Sequence, residues 1–171
     1  MKHKILFVCH GNICRSPMAE YVMKHLADRA GLSDEFVISS AATSREETGN
    51  DMYPAAKQKL REKGIPFGNH AARQVTKNDY PYYDVIYVMD RMNLRNLLRL
   101  TGEDTNDKVR LLMQETDEGS RDVADPWYTG DFERAYQDIY EACSSIVRKY
   151  IPKENQGKSG LNVKQQKQYL L

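Results

Sequence analysis

The sequence predicts an α/β fold built on an open parallel sheet with helices on both faces. Three observations predict it. Short apolar runs alternate with longer stretches of helical period. The helical stretches stop at Gly64, near Gly102 and before Pro152, residues that end helices well. The chain has 171 residues, 40% hydrophobic and 29% charged, which suits one soluble domain with a proper core.

The elements follow in order. Lys4 to Val8 reads as a short buried strand. Pro17 to Ala30 reads as a helix with Met18, Tyr21, Val22 and Leu26 roughly on one face. Phe36 to Ser39 is the second strand candidate, and Pro54 to Lys63 has helical composition. Val85 to Met89 is the third strand, followed by a helix over Arg91 to Leu100. Val109 to Met113 is the fourth strand, and Phe132 to Tyr150 a long amphipathic helix. Ligands of such sheets bind beyond the C-terminal strand ends. Cys9, Ser40 and Asp90 each follow a strand candidate and are expected on that edge. The domain is expected to span 1–152. Residues 153–171 are polar and aperiodic and read as a mostly disordered tail, with a short docking segment through Tyr169, Leu170 and Leu171 as the alternative.

Charge narrows the function. Lys and Arg total 25 against 24 acids, a net charge of +1, which leaves no footprint for nucleic acid or a membrane surface. The apolar run Ile5 to Cys9 is too short for a secretory segment, and no run approaches a membrane span. Three cysteines, an odd number, do not suggest a disulfide framework; a reducing cytoplasm is the expected home. No His, Cys or acid cluster shows metal-ligand spacing, so no metal is expected.

The informative stretch is Cys9-His10-Gly11-Asn12-Ile13-Cys14-Arg15-Ser16-Pro17, between the first strand and the first helix. Such a junction turns backbone N–H groups inward and adds the positive end of a helix dipole, which makes an anion site. Gly11 permits a backbone angle that other residues resist, and Ser16-Pro17 fits an N-cap and first-turn proline. A thiol beside a cation at a helix N-terminus can titrate at about 3.5–7.5, so Cys9 is expected to act as a thiolate attacking phosphorus. Arg15 offers a planar fork for two phosphate oxygens. Ser16 can donate a hydrogen bond to the thiolate. The bland alternative is a buried Cys at a strand end and a surface Arg.

The run from Cys9 to Pro17, with Met18-Ala19-Glu20, resembles the signature of the low-molecular-weight protein tyrosine phosphatases. The likeness runs from Ile5 to about Tyr150 and includes Ser40-Ala41-Ala42-Thr43-Ser44, Ala72-Arg73-Gln74-Val75-Thr76, Met89-Asp90 with Asn93, and Asp125-Pro126-Trp127-Tyr128. It implies a flavodoxin-like, three-layer fold with strand order 2-1-3-4. It also implies hydrolysis of phosphotyrosine, on protein or as a small aryl phosphate, through a cysteinyl-phosphate intermediate without a cofactor. Inorganic phosphate would be product and inhibitor, and the protein is expected to act as a monomer.

The resemblance implies roles residue by residue. Asp125 matches the general acid, although Asp-Pro is also ordinary turn chemistry. Trp127 and Tyr128 match aromatic walls of the phosphotyrosine slot. His10, Gly11, Asn12, Ile13, Cys14 and Ser16 complete the phosphate loop. Asn12, Ser16, Ser40 and His70 resemble a network fixing its shape, with Ser39 a rival for Ser40. Asp90 matches an acidic position without an assigned role. At Glu46 many family members carry an aromatic wall; Glu46-Glu47 would weaken ring stacking and repel acidic peptides. Cys14 is a redox partner for Cys9 by the resemblance, or simply packs beneath the loop. Three rival functions remain. Arsenate reduction lacks its relay cysteines, since only Cys143 lies outside the loop. Phosphoarginine hydrolysis is disfavoured by the apolar Ile13, and a non-catalytic phosphate-binding module would not need both Cys9 and Asp125.

Overall fold

The computed structural model describes residues 1–156. Its elements are β1 (His3–Cys9), α1 (Arg15–Arg29), β2 (Phe36–Ala42), α2 (Pro54–Glu62), α3 (Asp79–Tyr82), β3 (Val85–Val88), α4 (Arg91–Thr101), β4 (Val109–Leu111), α5 (Pro126–Thr129) and α6 (Phe132–Tyr150). The four strands pair in parallel, in the order β2-β1-β3-β4.

β1 is central, and Ile5, Leu6, Phe7 and Val8 are all fully buried. Their period of two divides them between two cores. Ile5, Phe7 and Cys9 face the larger one, shared with Met18, Val22 and Leu26 of α1, Leu60 of α2 and Ile139 of α6. Leu6 and Val8 face the smaller one, with Ile86, Val88 and Leu97 of α4. This is the expected sandwich of helices on both faces. Each such aliphatic or aromatic side chain contributes roughly 1.5–3 kcal/mol on burial.

The chain leaves β1 for β2 on one side and returns to β3 on the other. The strand order therefore reverses at β1, and the loops after β1 and β3 part to leave a crevice at the C-terminal sheet edge.

Several boundaries differ from expectation. β2 continues through Ala42, because Ala42 N donates to Arg73 O at 2.7 Å and its carbonyl accepts from Val75 N. β4 stops at Leu111 rather than Met113; residues Leu112–Glu115 turn into a 3-10 helix whose Gln114 side chain accepts from Leu111 N. Two helices of four residues, α3 and α5, are too short for a helical period to show in sequence. α1 begins at Arg15 with no side-chain cap, so Ser16 is not an N-cap; its hydroxyl is engaged elsewhere. Gly64 follows α2 at φ +67°, as its place after the helix requires. Residues Lys153–Asn155 form a 3-10 turn. The rest of the tail, with Tyr169, Leu170 and Leu171, lies outside the described residues.

Candidate active site

Residues 10–14 curl between β1 and α1, and other parts of the chain hold them from outside. The carbonyls of Cys9 and His10 accept from Thr43 N and Ser44 N, which prolongs the β1–β2 pairing into the loop. The carbonyl of Asn12 accepts from His70 Nε2 at 2.6 Å, and that of Ile13 from Tyr53 N at 2.9 Å. Met18 N takes the carbonyl of Cys14. With these oxygens held outward, the N–H groups of His10 to Cys14 have no acceptor among the described residues. Five successive donors at the start of a fifteen-residue helix make a cradle for an anion.

The residue that bends this loop is Asn12, at φ +58°, and not Gly11. A left-handed non-glycine residue must be held in place. Asn12 is fully buried; its Nδ2 donates to Ser16 Oγ at 2.8 Å and Ser40 Oγ at 2.9 Å, while its Oδ1 accepts from Arg73 N. Gly11 does not take a left-handed angle, and a Cβ there would sit 3.4 Å from Glu47 Cγ, an ordinary contact.

Ser16 Oγ lies 3.1 Å from Cys9 Sγ. Ser16 Oγ accepts from Asn12 Nδ2 and from the Cys9 thiol, and its own proton has a long contact of 3.4 Å to Ala41 O, which it can exchange for a thiolate at Cys9. Ser40 passes the network onward, donating to Glu20 Oε1 at 2.7 Å, and Lys24 neutralises Glu20 from the solvent side. The structure thus selects Ser40 over Ser39 and adds Glu20, which sequence reading missed. Its one sequence signal was an acid in the first turns of a helix otherwise packed into the core.

Arg15 is 2% exposed, which only paired charges permit. Its Nη1 donates to Asp90 Oδ2 and to Val123 O, both at 2.8 Å, and its Nη2 to Asp125 Oδ2 at 3.2 Å. Burial disfavours its charge, but Cys9, Asp125 and Asp90 outweigh that and raise its pKa. Asp90, left without a role by sequence, orients the guanidinium and caps α4 through Asn93 N. Asp125 caps α5 through Trp127 N, so α5 itself aims the carboxylate. Cys14 is pushed up to about 12, first by burial and then by the negative charges of Cys9 and Asp125.

A cleft of about 120 Å³ opens over this floor, lined by Cys9, His10, Gly11, Ile13, Cys14 and Arg15. Glu46, Glu47, Asp125, Trp127 and Tyr128 form its sides. Trp127 and Tyr128 are exposed, and Trp127 rests edge-on against Tyr53 at 5.0 Å between centroids, with Tyr53 stacked on Phe132. Tyr53 is a further residue that sequence reading did not assign, and Glu47 joins Glu46 on the rim as the sequence pair suggested. His10 Nε2 and Glu46 Oε2 share a hydrogen bond of 3.0 Å. Cys143 does not line this cleft; it is buried in α6 near Ala19 O, with its thiol pKa raised by burial.

The arrangement can hold a tetrahedral anion over a sulfur nucleophile, with a carboxyl group beside it. The family model described as low molecular weight phosphotyrosine protein phosphatase matches residues 4–157. A Bacillus subtilis relative, the low molecular weight protein-tyrosine-phosphatase YfkJ, is 39% identical over 153 residues, 89% of this chain and 97% of that one. The human low molecular weight phosphotyrosine protein phosphatase is 38% identical over 149 residues, 85% of this chain and 94% of its own. Among solved structures, YfkJ aligns with a TM-score of 0.83, over 87% of this chain and 94% of that one, at 35% identity. The low molecular weight protein tyrosine phosphatase of Streptococcus pyogenes gives 0.79, over 93% and 99%, at 36% identity. A Drosophila arginine phosphatase gives 0.77, over 90% and 99%, at 31% identity. With a family model matching nearly its whole described length and relatives alike over most of theirs, this chain, whose Cys-to-Arg loop sits at the reversal point of its sheet, belongs to the low molecular weight phosphotyrosine protein phosphatase family.

Proposed function

We propose that the protein hydrolyses phosphotyrosine, on protein or as an aryl phosphate, in two steps through a phosphocysteine. The observation that carries this reading is the convergence of Cys9, the five free N–H groups, Arg15 and Asp125 on one cleft. The phosphoryl group sits in the cradle with two oxygens on the Arg15 fork, while Asp90 and Val123 O keep Nη1 aimed. The Cys9 thiolate attacks phosphorus. The P–O bond to the leaving phenolate breaks, and Asp125 in its acid form supplies the proton. Asp125 as carboxylate then takes a proton from water, which attacks the phosphocysteine, expelling the thiolate and releasing inorganic phosphate. Ser16, held by Asn12, stabilises that leaving thiolate by donating to it.

Inorganic phosphate fits the same cradle and should inhibit as it accumulates. Every group used comes from one chain, so a monomer suffices. Ile13 in the cleft wall and the rings of Trp127 and Tyr128 suit an aromatic ester. The three cysteines are all free and buried, which fits a reducing compartment such as the cytoplasm. Among the described residues no helix is long and apolar enough to cross a membrane.

The test is a panel of phosphotyrosine, phosphoserine and phosphoarginine peptides with two variants. Cys9→Ser should abolish turnover yet still bind phosphate or vanadate, because the cradle remains. Asp125→Ala should lower kcat by about 10²–10⁴ on phosphotyrosine and less on activated aryl phosphates. Normal activity in either variant would overturn the assignment, and a preference for phosphoarginine would replace the substrate.

A further inference from the structure

The cleft that receives a dianion has negative sides. Arg15 is the only permanent cation among the described residues lining it, against the carboxyl groups of Glu46, Glu47 and Asp125. Arg15 is already committed to Asp90 and Asp125. Each of the two rim carboxylates has one hydrogen-bond partner at the cleft edge. Glu46 Oε2 is tied to His10 of the loop, and Glu47 Oε2 accepts from Asn50 Nδ2 at 2.7 Å. The Glu47 stem lies over Gly11, where no side chain intervenes. The other oxygen, Oε1, of each carboxylate makes no hydrogen bond among the described residues. Across the cleft stand Trp127, 53% exposed, and Tyr128, 82% exposed. Exposed ring faces attract ammonium and guanidinium groups.

From both walls together we infer that Glu46 and Glu47 are specificity-determining residues, selecting phosphotyrosine flanked by Lys or Arg and rejecting phosphotyrosine flanked by acids. This rests on the reading of the protein as a phosphotyrosine phosphatase and names its substrate class. A flanking Lys or Arg places its charge at the rim while the phosphate occupies the cradle. It there offsets two carboxylates that would otherwise repel the incoming dianion. In a water-like medium one contact at about 4 Å between unit charges changes affinity about fivefold. An acidic flank reverses the sign, so swapping Lys for Glu beside the phosphotyrosine should change kcat/KM roughly tenfold or more. Such exposed charges are screened by salt over a length of about 10 Å at 0.1 M and 3 Å at 1 M.

The experiment compares two phosphotyrosine peptides of equal length, with Lys or Glu on both sides of the phosphotyrosine, and 4-nitrophenyl phosphate as a reference. The intact chain should prefer the Lys peptide about tenfold at low salt, and the ratio should shrink at high salt. In the Glu46→Gln, Glu47→Gln double variant the ratio should fall to about twofold, and Glu46→Lys with Glu47→Lys should invert it. A ratio near one in the unaltered protein, or one unmoved by the double variant, overturns the inference while leaving the phosphatase reading intact. Turnover of 4-nitrophenyl phosphate with neither peptide cleaved would overturn the phosphopeptide reading, and this inference with it.

Discussion

Replacing Asn12 by Ala tests whether the loop is shaped by its side-chain network. The substitution removes three side-chain hydrogen bonds, to Ser16, Ser40 and Arg73 N, in a fully buried place. Each is worth about 1 kcal/mol net. Alanine must also hold a φ near +58°, at a further cost of about 1–2 kcal/mol. The sum is about 4–5 kcal/mol, a large share of the usual stability of a domain. In a protein of this size that lowers Tm by about 8–20 °C. Asn12→Gly forgoes the same hydrogen bonds but accepts the left-handed angle, so it should recover about 0.5–1 kcal/mol relative to Ala. Urea titration of the three proteins gives the numbers, and single-turnover kinetics report whether Ser16 still serves Cys9. A loss below about 1 kcal/mol in Asn12→Ala, with kcat unchanged, would refute the reasoning.

Other consequences can be checked alongside. Glu20→Gln should weaken the hold on Ser40 and lower kcat without abolishing it, whereas Ser39→Ala, outside the network, should stay within about 0.5 kcal/mol of the parent in urea titration. Peroxide should oxidise Cys9 to a sulfenic acid, which condenses with Cys14 to a disulfide and water, and a dithiol should restore activity. Because Cys14 is pushed up to about 12, closure should accelerate as pH rises; peptide mapping that finds no Cys9–Cys14 link would exclude this route. Burial opposes ionisation of Glu133, but hydrogen bonds from Lys63 and Lys59 outweigh it and hold its pKa at about 2. Its stabilising effect is therefore complete above about pH 4.5 and lost as pH falls towards 2. Screening at this partly exposed carboxylate leaves about 1 kcal/mol, and Glu133→Gln should flatten that part of the acid limb of a stability–pH curve. Deleting residues 157–171 should leave activity and Tm nearly unchanged; a fall of several degrees would show that the segment packs on the domain.

The sheet was legible because its strands are short apolar runs with helices between them, a pattern local to each segment. The loop was legible because nine adjacent residues carry it. What lay beyond reading was contact between distant segments. Arg15 meets Asp90 across 75 positions and Val123 across 108, and no local pattern records either. Ser16 followed by proline has the form of a helix cap, yet the network draws its hydroxyl to Cys9 and Asn12. Gly11 was the natural choice for the strained angle, but Asn12 takes it because three partners hold its side chain. Tyr53 acquires meaning only from what stands beside it, the ring of Trp127.

The outward-facing carbonyls of the loop bear on any attempt to graft it. Its curvature is kept by Thr43, Ser44, Tyr53 and His70, which lie on two other stretches of chain. A designer who moved residues 9–17 alone to another strand–helix junction would carry the reactive groups but leave the mould behind. The transplant would need those four contacts and the Ser40 and Arg73 anchors rebuilt on the host, so the smallest portable unit is three segments in register.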